Sequence, residues 1–389
     1  MSRTLLGLLI LALAAAPLSG SAAEPYEISV ILPVTGPGAF VAHVEINSLT
    51  VIEQMTNKAG GIRGRPIRFV VQDDQSNPAV SVQLLNGIIA KKAPFVLGST
   101  LAATCNATAA LLKDGPVQYC FSPGVHPAAG SYQYSAGVDT GALLAAATRY
   151  LRERKLTKVA VITSTDATGQ DADRFIDAIF GSAENRAMTL VAREHFNTAD
   201  INVAAQLARI KAAGADVLIA WTTGASFGTI LRGVRDTAID IPVVSTPGNM
   251  LASQLRQYTN IMPKELFFPN MASFLTPDQL PNGPLKNKVA GFYDAFKAAG
   301  LRPPSGEGQV WDQILITLSA LQKFGFDATP AQIHSYIDNL HGWFGINGSY
   351  DFRKFPQRGV GIDVVIVQQW DPAKEAGIPV SRPGGAEVK

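Results

Sequence analysis

Residues 28–58 read ISVILPVTGPGAFVAHVEINSLTVIEQMTNK, and this stretch decides the fold class. Positions 28–32 form a short β-branched apolar run, 33–38 supply a turn rich in Pro and Gly, and from Phe40 to Lys58 apolar residues recur at helical spacing. Strand, turn and amphipathic helix make one βα unit, and units of this kind pair their strands in parallel. The theme repeats outward. Strands are expected at 67–72, 95–97 and 117–121, with helices at 78–91 and 103–112. A second series follows, with strands at 159–163, 189–195, 217–220 and 243–245 between helices at 141–154, 170–180, 201–213 and 227–237. Two consecutive series make two similar doubly wound lobes with mainly parallel sheets, not one very wide sheet.

A crossing strand at 266–268, helices at 285–299, 308–324 and 330–340, and a last strand at 364–369 complete the pattern. The chain is expected to pass between the lobes near Gly137, Phe268 and Gly345, a three-strand hinge. That assigns 24–137 and 268–345 to the first lobe and 138–267 and 346–375 to the second. Residues 376–389, with several Pro and Gly, are expected to form a flexible tail.

The N-terminus carries Arg3, an apolar run at 5–16, and then Gly20, Ser21, Ala22 and Ala23. This is the pattern of a secretory signal peptide over 1–23, cleaved after Ala23. The apolar run is too short for the ~30 Å hydrocarbon layer; an uncleaved anchor is the alternative. No later stretch reaches the ~18 apolar residues of a membrane span, so the expected product is soluble, outside the cytoplasm and not membrane-embedded. A net charge of +2 with both signs interspersed offers no nucleic-acid surface. Cys105 and Cys120, the only cysteines, are expected to bridge in an oxidising compartment, two buried free thiols being the alternative.

In open parallel sheets ligands bind beyond the carboxyl ends of the strands. The loops concerned are 33–40, 98–104, 122–126, 164–170, 221–227 and 246–250, rich in small and hydroxyl-bearing residues. The 98–104 loop, with Ser99, Thr100, Ala102 and Thr104, is the expected anion side, completed by Ser122 and Gly124; plain helix capping by Thr100 or Thr104 is the alternative. Phe40 and Trp221 stand where aromatic residues either line a cleft or fill a core. Catalysis finds no constellation. Gly36-Pro37-Gly38 begins like a dinucleotide fingerprint, but Val41 holds the third glycine position, and no GxxxxGK, GxSxG or HExxH occurs. Asp73-Asp74 reads as a solvated turn. No cofactor or metal is expected, and an exported enzyme is the disfavoured class.

Four stretches carry a family likeness: Ile31-Leu32-Pro33-Val34-Thr35-Gly36-Pro37, Asn57-Lys58-Ala59-Gly60-Gly61-Ile62-Arg63-Gly64, Gln72-Asp73-Asp74-Gln75-Ser76-Asn77-Pro78 and Val310-Trp311-Asp312. With them the chain resembles the periplasmic leucine/isoleucine/valine-binding proteins of ABC importers. The resemblance implies the type I periplasmic-binding fold, cleft closure on a small molecule and delivery to an ABC-type inner-membrane permease, with a monomer expected. The family's carboxylate-holding positions align with Ala102, Ser122 and Gly124. Ala102 has no hydroxyl, so Ser99, Thr100, Thr104 or Ser122 would supply it. Positions that hold the α-ammonium align with Thr168, Thr223 and the turn Pro247, Gly248 and Asn249, none of them a carboxylate. An ammonium buried there would cost several kcal/mol in desolvation. The expected ligand is therefore a carboxylate or neutral molecule with an apolar or aromatic body. A branched-chain or other hydrophobic amino acid, or a ligand-sensing role, is the alternative. The family's late-helix aromatic often lines the cleft, which points to Trp311.

Overall fold

In the computed structural model, which describes residues 23–301 and 307–388, the first βα series closes into one sheet. It comprises β1 (Tyr26–Leu32), α1 (Ala39–Lys58), β2 (Ile67–Asp73), α2 (Pro78–Ala90), β3 (Phe95–Gly98), α3 (Ala102–Thr108), β4 (Val117–Cys120) and β5 (Gln133–Ser135). The strand order is β2-β1-β3-β4-β5, parallel throughout. The second series begins with α4 (Thr140–Glu153), β6 (Lys158–Ser164), α5 (Ala167–Phe180), β7 (Thr189–Phe196) and α6 (Ala204–Ala212). It continues through β8 (Val217–Trp221), α7 (Ser226–Asp236), β9 (Val243–Ser245), α8 (Ala252–Leu255) and β10 (Leu266–Asn270). Its run β7-β6-β8-β9-β10 is again parallel, so both sheets share one doubly wound order.

The rest of the chain divides between the two. Helices α9 (Pro284–Ala298), α10 (Trp311–Phe324) and α11 (Pro330–Asp338), with the hairpin β11 (His341–Gly345) and β12 (Gly348–Asp351), pack on the first lobe. Strands β13 (Ile366–Asp371) and β14 (Ala376–Pro379) then extend the second sheet antiparallel from β10. The expected leader at 1–23 lies, apart from Ala23, outside the described residues. Among the described residues no helix is long and apolar enough to cross a membrane.

The continuous apolar runs follow from burial on both sheet faces, since alternate side chains of a strand point opposite ways. In the second sheet Val159, Val161, Val217, Ile219 and Val244 pack with Leu144 and Leu151 of α4 and Ile176 of α5. Their neighbours Ala160, Ile162, Leu218, Ala220 and Val243 pack with Leu207 and Ile210 of α6 and Phe227 and Leu231 of α7. Strand β5 carries no such run and escaped the sequence reading. Its Gln133 is buried because Nε2 donates to Cys105 O and to Gln118 Oε1, both at 2.9 Å.

Three expectations need correction. The third passage between lobes lies after Val360, not at Gly345. Residues up to there hold the first sheet: Ser135 N–H donates to Gln357 O at 2.9 Å, and the Arg358 guanidinium donates to Pro123 O at 3.0 Å. The tail is no loose segment. Strand β14 pairs with β13, Glu387 N–H donates to Glu153 Oε2 at 2.7 Å, and Val388 N–H donates to Val380 O at 3.3 Å. Asp74 is buried rather than solvated; its Oδ2 accepts from Ser81 Oγ at 2.8 Å and from the Ser99 hydroxyl.

Val310-Trp311-Asp312 also acquires a structural meaning. Asp312 is buried at the start of α10 and accepts from Ile346 N–H at 2.9 Å, Asn347 N–H at 3.0 Å and Tyr350 Oη at 3.1 Å. Burial pushes its carboxyl up to about 6 against those hydrogen bonds. The hairpin turn reaches it only because Gly345 has no side chain: a Cβ there would stand 2.3 Å from Asp312 Oδ1.

Cys105 of α3 and Cys120 of β4 form a disulfide across 15 residues. It ties together the two loops expected to hold an anion. Replacing both with alanine is expected to lower the unfolding free energy by about 3 kcal/mol, as loop-closure entropy predicts for this separation. Denaturant unfolding of the ligand-free protein measures it; an unchanged midpoint and slope would contradict it.

Candidate functional site

A cleft of about 790 Å³, solvent at its mouth included, opens between the carboxyl ends of the two sheets. Each wall is a row of strand ends. Thr100, Leu101 and Ala102 follow β3, Phe121 to Gly124 follow β4, and Ala136 to Val138 follow β5. From the other lobe come Thr168 at the start of α5, Trp221 and Thr223 at β8, Thr246, Pro247 and Gly248 after β9, and Asn270 and Met271 at the end of β10. The doubled topology thus brings together the expected residues Thr100, Ala102, Ser122, Gly124, Thr168, Trp221, Thr223, Pro247 and Gly248.

Other expected residues stand outside this lining, each for a visible reason. Ser99 is fully buried and bonded to Asp74, and Thr104 Oγ1 donates to Ser99 Oγ at 2.8 Å. Asn249 is consumed by the scaffold. Its Nδ2 donates to Thr222 O at 2.7 Å and Ser245 Oγ at 3.0 Å, and its Oδ1 accepts from Gly224 N–H at 3.0 Å. Trp311 points into the helical layer, its ring edge-on to Phe292 at 4.9 Å and near Phe296 at 5.9 Å. Phe40 packs in a small apolar cluster with Val41, Val44 and Leu251 at the junction of the lobes.

Thr140, Leu143, Asn270, Met271, Phe274 and Gln309 lie outside the loops expected from the sequence, yet they too line the cleft. Among the described lining residues none carries a charge. The polar groups are hydroxyls and amides. Leu101, the N-cap of α3, makes no side-chain hydrogen bond to the helix start beside Thr100. Ser122 Oγ accepts from Gly124 N–H at 3.2 Å, which leaves its own proton to donate into the cleft.

A family profile described as periplasmic binding protein matches residues 25–376. The chain belongs to the periplasmic binding protein family. Among curated proteins it is similar to Leu/Ile/Val-binding protein homolog 3 of Brucella melitensis, 27% identical over 227 residues that cover 57% of this chain and 61% of that one. The chain thus spans about three fifths of the length of that relative. Among solved structures it resembles a type 1 periplasmic binding protein from Bordetella pertussis, with TM-score 0.76 and 19% identity over 89% of this chain and 97% of the other. It also resembles a solute-binding protein of an ABC transporter from Rhodopseudomonas palustris in complex with benzoate, with TM-score 0.75 and 16% identity over 94% and 97% of the two chains. These likenesses place the fold, α/β with mostly parallel sheets, in the type I periplasmic-binding class.

In this periplasmic binding protein the lobes touch directly at both margins of the cleft. His126 Nε2 lies 2.6 Å from Asp171 Oδ1 of α5, and Leu251 meets Val41 and Val44 of α1. Gly224, with φ +89°, lies so near Pro37 that a Cβ on it would stand 2.4 Å from the Pro37 carbonyl oxygen. Behind the lining sit three buried ionisable groups. Glu45 Oε2 is 2.6 Å from Thr100 Oγ1, and Glu45 Oε1 has no hydrogen-bond partner among the described residues. Burial pushes this carboxyl up to about 8; the Thr100 hydrogen bond opposes the shift and the charge of Asp74 reinforces it. Asp171 stands behind Gly124, whose Cβ, if present, would be 3.4 Å from Asp171 Oδ2. Arg358 donates to Pro123 O, Val125 O and Gly137 O, fixing the loop that presents Ser122. Its burial lowers the guanidinium to about 10, so it stays charged at neutral pH beneath that loop.

Proposed function

We propose that this protein is the extracytoplasmic solute-binding component of an ABC importer, and that it captures a small organic carboxylate with an apolar or aromatic body. The lobes close over the ligand by hinge motion, and the closed form presents it to an inner-membrane permease, without chemistry on the ligand. The observation that carries this reading is the uncharged lining. Hydroxyls of Thr100 and Ser122 stand on one side, while Trp221, Leu143, Val138 and Phe274 offer apolar surface to the body. An α-ammonium would find no carboxylate among the described lining residues, and its desolvation would go uncompensated. The carboxylate of an acid is better provided for, with Arg358 charged beneath the Ser122 loop and Glu45 held neutral behind Thr100. The benzoate complex of the Rhodopseudomonas structure supports the same class of ligand, whereas the name of the Brucella relative favours a branched-chain amino acid.

A thermal-shift screen of the purified mature protein separates the two. A ligand at 100 times its Kd adds about 2.7 kcal/mol, worth several degrees in Tm. Aromatic or alicyclic monocarboxylates are expected to shift the transition, and leucine, isoleucine and valine to leave it in place. Stabilisation by the amino acids alone would overturn the reading.

A further inference from the structure

Two amides in the cleft have polar atoms that no described residue satisfies. Asn270 ends β10, is 1% exposed and lines the cleft; its Nδ2 reaches only the thioether of Met250 at 3.2 Å, and its Oδ1 has no partner. Gln309, just before α10, lines the same cleft, and its buried Nε2 has no partner either. The segments carrying them are packed together: a Cβ on Gly308 would lie 2.9 Å from the Cβ and the carbonyl oxygen of Ser273. Around them the lining is apolar, from Met271 and Phe274. Buried polar atoms in such surroundings nearly always have partners, and leaving them unpaired is costly.

One atom accepts and the other donates. Turning both amides over exchanges the roles and leaves the pair unchanged as one acceptor and one donor. A hydroxyl is the small group that donates and accepts at once. We infer that the body of the ligand carries a hydroxyl group, which donates to the Asn270 side chain and accepts from that of Gln309. This rests on the carboxylate reading above and adds a second polar point to it. The ligand class narrows to hydroxy acids, aromatic or alicyclic, with the two polar groups at separate places on one apolar ring.

Isothermal titration of the purified protein tests this with benzoate and its three monohydroxy isomers, and with cyclohexanecarboxylate and 4-hydroxycyclohexanecarboxylate. At least one hydroxylated acid is expected to bind tenfold or more tightly than its parent. In Asn270→Leu and Gln309→Leu, each checked for a cooperative thermal transition, the ratio of parent to hydroxy-acid Kd is expected to fall toward one. A parent that binds as tightly as all its hydroxylated forms, or an advantage that survives both substitutions, would overturn the inference and leave the carboxylate reading standing. If neither parents nor hydroxy acids bind, both fall together.

Discussion

Gly224→Ala is expected to weaken ligand capture by tenfold or more while the ligand-free protein loses only about 1 kcal/mol of stability. The two effects have separate causes. The residue sits at φ +89°, where a side chain costs roughly 1 kcal/mol in backbone strain. That penalty applies whether the lobes are open or closed. The contact with Pro37 joins the two lobes, so under the proposed hinge motion it forms only on closure, where a Cβ 2.4 Å from a carbonyl oxygen would force the two loops apart. A ligand that binds by closure must then stabilise a form that cannot fully close, and its apparent affinity falls with the population of the competent state. Gly214→Ala is the control. That glycine has φ +66° and nothing within 4 Å of its Cβ position, so it carries the strain without the clash. Titration of both variants with the acid that gives the largest thermal shift decides the matter. Equal affinities would show that the Gly224 contact plays no part in closure.

The second large effect is a dependence on pH set by Glu45. Its carboxyl is fully buried, and that burial raises it from the ordinary 4.5 to about 8. Below about pH 4.5 folded and unfolded chains both hold the proton, and nothing is lost. Between about 4.5 and 8 only the folded chain holds it, so stability falls by up to ~1.4 kcal/mol per pH unit. Above about 8 both release it and the loss is complete, on the order of 5 kcal/mol. Glu45→Gln keeps the shape and the neutral state, and the difference in stability between variant and wild type is expected to grow in the variant's favour from pH 5 to 9. Ligand affinity follows the same direction. Once ionised, Glu45 claims the single proton of Thr100 and places a negative charge behind the cleft wall where an anionic ligand would lie. Affinity for a monocarboxylate is therefore expected to drop as pH rises through about 8 in the wild type and to stay level in the variant. Parallel curves for the two proteins in both measurements would remove Glu45 from the account.

The order of strands and helices could be read from residue patterns because parallel strands buried on both faces leave unbroken apolar runs, as in Val159 to Ile162. The exceptions are elements whose burial depends on partners far away in sequence. Strand β5 is two-thirds polar and stays inside only because Gln118 and Cys105 O meet Gln133; β14 is held by pairing with β13. The site divides the same way. Its loops were legible, since the carboxyl ends of parallel strands must face the crevice. The use of each side chain within a loop was not. Ser99 and Thr100 are adjacent hydroxyls, yet one turns inward to Asp74 and the other lines the cleft. Trp311 and Trp221 look alike as aromatic residues beside strand ends or helix starts, but only the second meets the cleft; the first is claimed by Phe292 and Phe296 of α9. Asn270 left one usable trace, a polar residue closing an otherwise apolar crossing strand.

The stitched C-terminus turns the molecule into a convenient optical gauge. Because β14 and the residues after it are bound to the second sheet, a fluorophore attached at Val388 travels with that lobe instead of swinging on a tether. Both native thiols are locked in the Cys105–Cys120 bridge, so cysteines introduced at Val388 and at exposed Gln54 of α1 would be the sole reactive sites for a donor and acceptor dye. Energy transfer between them would follow the proposed opening and closing in real time, one molecule at a time.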